Sequence, residues 1–154
     1  MRKPADLGFD DLGKLGETEF PWSFLRTRLS DADFSNSDLS KASIMRSLVE
    51  RVNFSRICGC PIRLTWNDVV DCDFTNADLT GVDMGGSLIK NCRFVNSNMQ
   101  NLDLRTWVFV SCAFDSADLE GALVTLKQYM SLPLTKIQRS RLKWKFRQGK
   151  LPPD

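Results

Sequence analysis

The chain has 154 residues, of which 42% are hydrophobic and 26% are charged, proportions that are ordinary for one soluble domain. No apolar run approaches the roughly 20 residues that a membrane-spanning helix needs, and the acidic N-terminus lacks the apolar core of a signal peptide. Histidine, the commonest general base and the commonest zinc ligand, is absent, so we expect neither an enzyme nor a metal or other cofactor site.

The charge distribution and the cysteine content indicate what kind of protein this is. Residues 1–124 hold 13 Lys/Arg and 18 Asp/Glu, a balance of −5, whereas residues 125–154 hold 8 Lys/Arg and one aspartate, a balance of +7. The five cysteines cannot all pair within one chain. Without a secretory signal, we expect reduced thiols, a cytoplasmic location and no association with membranes.

The first 21 residues precede any regular pattern, and residues 22–126 follow a period of five. Every fifth residue from Phe34 to Val124 is large and apolar, with Gly59 as the one exception, and a mostly small residue lies two positions earlier. Neither the helical period of 3.6 nor the strand period of 2 explains this spacing. A second period of twenty places five phenylalanines in one column of the core: Phe34, Phe54, Phe74, Phe94 and Phe114.

This pattern resembles that of the pentapeptide-repeat proteins, whose repeat is A-(D/N)-L-x-x, as in Ala77-Asp78-Leu79-Thr80. The resemblance implies an all-β fold, a right-handed quadrilateral β-helix with four pentapeptides in each coil. About five coils, spaced about 4.8 Å apart, would give a rod roughly 25 Å long. Residues 1–21 would then form an N-terminal cap, with Phe20 and Trp22 as candidates to close the core.

The stretch Cys58-Gly59-Cys60 looks at first like a metal or redox motif. The register places both cysteines outward and Gly59 inward, so we interpret the stretch as a locally repacked coil, in which Gly59→Leu would overpack the core. Cys72, Cys92 and Cys112 occupy small inward positions of the phenylalanine column, where cysteine is a small apolar residue.

The C-terminal segment, residues 127–154, is predicted to leave the repeat and to form a basic capping or dimerisation element. The sequence TLKQYMS predicts a short helix that Pro133 ends, and Thr135 is a candidate cap for a second helix. Leu142, Trp144 and Phe146 alternate with basic residues, which favours docking of this segment onto the body; binding of nucleic acid or of an anionic surface is the less favoured alternative.

One side of the predicted rod carries apolar residues at outward positions, where polar residues are expected. Such a patch indicates a protein interface, unless a cap or the C-terminal segment covers it. These candidate partner-binding residues are Met45, Leu48, Trp66, Val70, Leu88, Val108 and Val110.

A column of acidic residues is the other surface candidate: Asp38, Asp78, Asp118 and the adjacent Glu120. Some members of the family, of the quinolone-resistance type, are thought to mimic duplex DNA and to bind DNA gyrase. Because a duplex presents one charge per ~1.7 Å, a rod of this length would need about fifteen unopposed negative charges, far more than the net balance of −5 in residues 1–124.

The sequence therefore predicts a bacterial, non-enzymatic protein that presents a rigid surface to another protein and takes no small-molecule substrate. By family analogy, the leading hypothesis is that it neutralises a toxin or modulates another partner enzyme. The alternatives are a DNA-mimicking gyrase or topoisomerase modulator and a structural or homodimeric scaffold, and nucleic acid is not an expected partner.

Overall fold

The computed structural model describes residues 23–40, 42–58 and 61–143, and it confirms the predicted quadrilateral β-helix. Paired residues in neighbouring strands are twenty positions apart, as in Val49↔Val69 and Ile89↔Phe109, so one coil is four pentapeptides long. All strands have three residues and pair in parallel, β2, β4, β5, β6 and β7 in a five-stranded sheet and β1 with β3 in a second sheet. The strands are β1 Ser23–Leu25, β2 Arg28–Ser30, β3 Ser43–Met45, β4 Leu48–Glu50, β5 Asp68–Val70, β6 Leu88–Lys90 and β7 Val108–Val110.

The phenylalanine column forms the centre of the core. Consecutive rings from Phe34 to Phe114 are stacked with centroids 5.8, 5.0, 5.0 and 5.3 Å apart, and their planes diverge by 16° at most. Each ring therefore contacts the equivalent ring of the next coil, which locks the register of twenty residues along the rod.

A second column inside the rod is polar, behind the five-stranded sheet. The backbone N–H of Thr27 donates to Ser47 Oγ (3.1 Å), that of Ser47 to Asn67 Oδ1 (2.9 Å), and that of Asn67 to Ser87 Oγ (2.9 Å). Asn67 Nδ2 also donates to the carbonyl of Ile44 (2.8 Å). Side-chain oxygens thus satisfy donors that point into the core, so these polar residues are tolerated there.

The corners between sides are left-handed turns that recur every fifth residue. Among the described residues, fourteen non-glycine positions have φ between 50° and 61°, and most of them are Asn, Asp or Ser, which tolerate this conformation. On the sides flanked by Asp or Asn, that side chain accepts the N–H two residues ahead, as Asp73 does from Thr75 (2.9 Å). On the sides with such turns, neighbouring coils pair through single β-bridges, as Asp73 does with Arg93. Among the described residues, the five-stranded side has no turn of this kind.

The C-terminal end is closed by two helices, α1 (Leu126–Ser131) and α2 (Lys136–Arg141), which confirms both helix predictions. Each begins with a capping box, Thr125 with Gln128 and Thr135 with Gln138. Pro133 lies just beyond α1, whose C-cap is Leu132.

The glutamines of these capping boxes also close the last coil. Gln128 Nε2 donates to the carbonyls of Leu104 (2.6 Å) and Trp107 (2.8 Å). Gln138 Nε2 donates to those of Phe114 (2.7 Å) and Ala117 (3.0 Å). Two opposite corners of the last coil are therefore capped in the same way, by glutamines that lie ten residues apart in the sequence.

Part of the coil period continues beyond residue 126, where the C-terminal segment is predicted to leave the repeat. Leu132 and Leu134 are buried twenty residues after Cys112 and Phe114. Lys143 pairs with Leu123 in a parallel bridge, with Val124 N donating to Lys143 O (3.2 Å). Helices replace two of the four sides, but the other two sides keep the coil period because their extended segments still pack on the coil beneath.

Several predictions concern residues outside the described ranges, namely those for Phe20, Trp22, Gly59, Cys60, Trp144 and Phe146. Within the described ranges, the helices are too short and too polar to cross a lipid bilayer.

Candidate protein-binding surfaces

The outer surface of the five-stranded sheet, here called the strand face, carries the predicted apolar patch. Leu88, Val108 and Val110 are exposed by 38%, 54% and 41% and lie together at its C-terminal end. Toward the N-terminus, Leu48 and Val70 are only partly exposed. The neighbouring outward positions there hold Glu50, Asp68 and Lys90.

The prediction of one contiguous patch is therefore wrong for the N-terminal half of this face. Charged and apolar side chains alternate there, because residues paired across β4, β5 and β6 differ in polarity, as in Leu48↔Asp68 and Val70↔Lys90. The continuous apolar surface is the triangle of Leu88, Val108 and Val110, which we call the apolar triangle. A charged rim around a small apolar centre is a common arrangement in protein interfaces.

Met45 and Trp66 lie away from the apolar triangle, near the corner that joins the strand face to the side containing β1 and β3. Consecutive coils place Arg26, Arg46 and Trp66 at this corner, which we call the Arg–Trp corner. The ladder of N–H bonds from Arg26 to Met45 O, Arg46 to Thr65 O and Trp66 to Gly85 O fixes their order. Trp66 is 64% exposed, and its ring lies over Gly86 of the next coil.

The acidic column is interrupted in the structure. Cys58 and Asn98 alternate with Asp38, Asp78 and Asp118, because residues that share a column are twenty apart and the aspartates are forty apart. Asp78 Oδ1 accepts from the N–H of Thr80 (3.1 Å) and from its hydroxyl (2.8 Å). The carboxylates therefore cap turns of their own chain.

Asp118 is further neutralised at the C-terminal end. Its Oδ2 accepts from Gln100 Nε2 (2.6 Å), and Arg141 Nη1 lies 3.8 Å from its Oδ1. The hydrogen bond from Gln100, then that from the N–H of Glu120 and the charge of Arg141, lower the pKa of Asp118 below its ordinary 3.8 despite partial burial. A polar cleft of about 370 Å³ beside it is lined by Glu120, Arg141 and Lys143, so it contains charges of both signs.

The cysteines are free where the structure describes them. Cys58 is exposed, as the register predicts, while Cys72, Cys92 and Cys112 are buried. Hydrogen bonds with Cys112 and Cys72, together with burial, raise the pKa of Cys92, so its thiol stays protonated. Within the described ranges, no group of three or more Cys, Asp or Glu side chains is placed to hold a metal ion.

The C-terminal segment docks onto the body through Leu142, which is buried against the core. The same end exposes three apolar side chains of the cap helices, Leu126, Met130 and Ile137. Sequence reasoning did not single out these residues, nor Asn67, Gln128 and Gln138. The repeated Thr-x-x-Gln spacing at positions 125 and 135 is the signal that could have identified the two glutamines.

Known proteins with sequences or structures similar to this chain contain pentapeptide repeats. A family model for pentapeptide repeats matches residues 63–94 and 72–109, with 8 copies. No curated protein sequence matches the chain. Among solved structures, the chain is similar to trypsin-treated QnrB1, a plasmid-mediated fluoroquinolone resistance protein, at 13% identity and a TM-score of 0.41, over 67% of this chain and 65% of that chain.

Two further structures show the same similarity. A pentapeptide repeat protein from the Arabidopsis thaliana thylakoid lumen is 18% identical with a TM-score of 0.34, covering 77% of this chain and 72% of its own. The protein alr5209 of Nostoc Pcc 7120 is 15% identical with a TM-score of 0.33, covering 82% of this chain and all of its own. This chain spans only 65% of the trypsin-treated QnrB1 chain.

Proposed function

We propose that this chain, whose residues 63–109 match the pentapeptide-repeat family, is a non-enzymatic module that presents the strand face to a partner protein. The single observation that carries the proposal is the apolar triangle, three exposed branched side chains at the end of a five-stranded parallel sheet. Exposed apolar groups on a surface fixed by backbone hydrogen bonds lose little conformational entropy on binding, which favours a protein interface.

The more specific role that we propose is neutralisation or modulation of a partner enzyme, as in toxin immunity. This role is supported by the strand face, which offers a preformed surface with mixed charge around an apolar centre. The simplest candidate partner is the product of a neighbouring gene. If that product is toxic alone and harmless when co-expressed with this chain, the role holds; co-expression without protection and without a complex contradicts it.

The contribution of the strand face is tested with matched variants. Leu88→Asp and Val108→Asp place a carboxylate inside the apolar triangle, and each should weaken the complex by about tenfold or more, because a charge would be buried at the interface. Asn98→Asp adds the same charge on another side, where the carboxylate can still accept from the N–H of Gln100 as Asn98 does. It should leave binding unchanged, and all three variants should keep the native circular dichroism spectrum.

The gyrase-modulator alternative has less support from the side chains. The acidic column alternates with Cys58 and Asn98, and its carboxylates cap turns or contact Gln100 and Arg141. A supercoiling assay with purified gyrase tests this alternative directly: inhibition of supercoiling or protection against a quinolone at micromolar protein would favour it over immunity. Light scattering after size exclusion tests the scaffold alternative, since a stable dimer would indicate self-association.

A further inference from the structure

We propose that the Arg–Trp corner is a second recognition site, which takes an acidic segment of a partner protein. The inference rests on the proposed protein-binding function, but it concerns a surface other than the strand face. Arg26, Arg46 and Trp66 stand at the same corner of three consecutive coils, with Leu25 and Met45 directly before the two arginines.

The backbone at this corner is unfavourable for the residues that occupy it. Arg26, Arg46 and Trp66 have φ values of 54°, 50° and 60°, in the left-handed region where a bulky side chain is strained. Most other corners hold Asn, Asp, Ser or Gly, which this conformation suits. Three strained residues in one column, all with long or aromatic side chains, indicate a requirement outside the fold itself.

Within the part of the chain that the structure describes, the charges at the corner are also uncompensated. Arg28, Arg51 and Arg105 form ion pairs with carboxylates at 2.6 Å. Arg26 and Arg46 form none with the described residues, although they stand in adjacent coils. Two like charges at the same corner of neighbouring coils repel each other, and an external carboxylate between them would remove that repulsion.

The apolar part of the corner favours a protein ligand. Leu25 is 57% exposed and pairs with Met45 across β1 and β3, and Trp66 offers an exposed ring. The indole ring of Trp66 packs against the backbone of Gly86, where an added Cβ would lie 2.6 Å from Trp66 Cε3. This contact holds the ring in place. Tryptophan, arginine and methionine are enriched at protein interfaces, and they suit a segment that combines carboxylates with an apolar side chain.

Single-stranded nucleic acid fits the corner less well. It requires an electropositive track along the backbone, whereas only two arginines align here and Asp68 lies two residues from Trp66. Residues 1–124 as a whole are acidic, with a balance of −5. An acidic peptide segment is therefore the occupant to which the charges and apolar groups point.

The test uses a random-peptide display library selected on the full chain. Enriched sequences should combine Asp or Glu with an adjacent aliphatic or aromatic residue. Synthetic peptides from the selection should bind Arg46→Asn and Trp66→Asn about tenfold more weakly than the unmodified chain. Arg56→Asn is the matched control, because Arg56 also has a left-handed φ of 57° and no ion pair with the described residues, but lies at another corner. It should bind the peptides unchanged.

Thermal denaturation supplies a readout that a merely structural role would not give. Asparagine suits the left-handed region, so Trp66→Asn should melt at or above the temperature of the unmodified chain while it loses binding. A lower melting temperature would show that the ring is kept for its contact with Gly86, and it would overturn the argument from strain.

Other results of these experiments would also decide whether the Arg–Trp corner binds an acidic segment. Selection of basic peptides, or of none, overturns the inference, as does binding of oligothymidine that Arg46→Asn abolishes. A dimer that becomes monomeric in Trp66→Asn would assign the corner to a second copy of the chain and overturn it too. If Leu88→Asp disrupts a complex that Arg46→Asn and Trp66→Asn leave intact, the proposed function stands and only this inference fails.

Discussion

Gln138 offers the most direct test of how the open end of the rod is closed. This residue is buried, and its side chain makes four contacts: Nε2 donates to the carbonyls of Phe114 and Ala117, and Oε1 accepts from the N–H (3.0 Å) and hydroxyl (3.1 Å) of Thr135. Gln138→Leu preserves size but removes the donor to the Ala117 carbonyl and the acceptor of the Thr135 N–H, whereas the Phe114 carbonyl still accepts from the N–H of Ala117 (3.0 Å).

The expected cost follows from these two lost partners. An unsatisfied buried carbonyl costs about 1–3 kcal/mol and the lost bond to the exposed Thr135 about 1 kcal/mol more, so Gln138→Leu should destabilise the protein by roughly 2–4 kcal/mol. For a chain of this size, that corresponds to a fall of about 10 °C in the melting temperature. Gln128→Leu is the matched comparison, because Gln128 makes equivalent bonds in a partly buried setting where water can replace them. Its cost should be only about 1–2 kcal/mol.

Urea and thermal denaturation followed by circular dichroism measure both variants, and hydrogen exchange shows where protection is lost. Protection should be lost first in the last coil and the cap helices, because each coil contacts only its neighbours. Gln138→Glu adds a pH control: its carboxylate cannot donate to a carbonyl at neutral pH, but its protonated form has one O–H that can donate to the Ala117 carbonyl, so stability should rise as the pH falls through its raised pKa. Equal, small losses for both leucine variants would refute the reasoning.

Three further predictions concern the body of the rod. Asn67→Leu should cost roughly 2–5 kcal/mol by urea denaturation, because it leaves Ser47 N–H and Ile44 C=O without their side-chain partner; a neutral result would refute the polar column as a stabilising feature. In a Cys60→Ser background, a thiol reagent should modify one cysteine, Cys58, quickly and the buried Cys72, Cys92 and Cys112 only on unfolding, and rapid reaction of more than one thiol would contradict that burial. Because Gln100 lowers the pKa of Asp118 below 3.8, the associated stabilisation is present above about pH 4 and lost as the pH falls further. Gln100→Leu should show a smaller acid-induced fall in melting temperature, and an unchanged fall would exclude this contact as a cause.

The sequence was sufficient for the fold because the period itself encodes it. Five phenylalanines at intervals of twenty can share one column only if each coil is twenty residues long, and their stacking distances show that they do. The C-terminal helices were equally accessible, since Thr135 and Pro133 act within a few residues of their positions. A regular period and short-range helix signals can therefore be recognised in a single sequence.

Contacts between coils were less accessible. Asn67 occupies a position that holds Ser or Thr in three other coils and Trp107 in the last, and nothing within its own pentapeptide shows that it bridges Ser47 and Ile44. The apolar patch was overestimated for a similar reason. The outward residues of one strand do not show which residues lie beside them on the surface, and the pairing of Asp68 with Leu48 places a carboxylate next to an apolar side chain.

The same periodicity explains why function must be sought on the outside of this protein. Stacked rings, the polar column and the capped end leave no buried side-chain nitrogen or oxygen without a hydrogen-bond partner among the described residues. A coil whose interior is fixed in this way can vary only at outward and corner positions. Trp66 is such a variation, since its pentapeptide keeps Leu64 in the core and its backbone keeps the common corner geometry. The indole therefore contributes little to defining the fold, and this is why its replacement is expected to separate binding from stability.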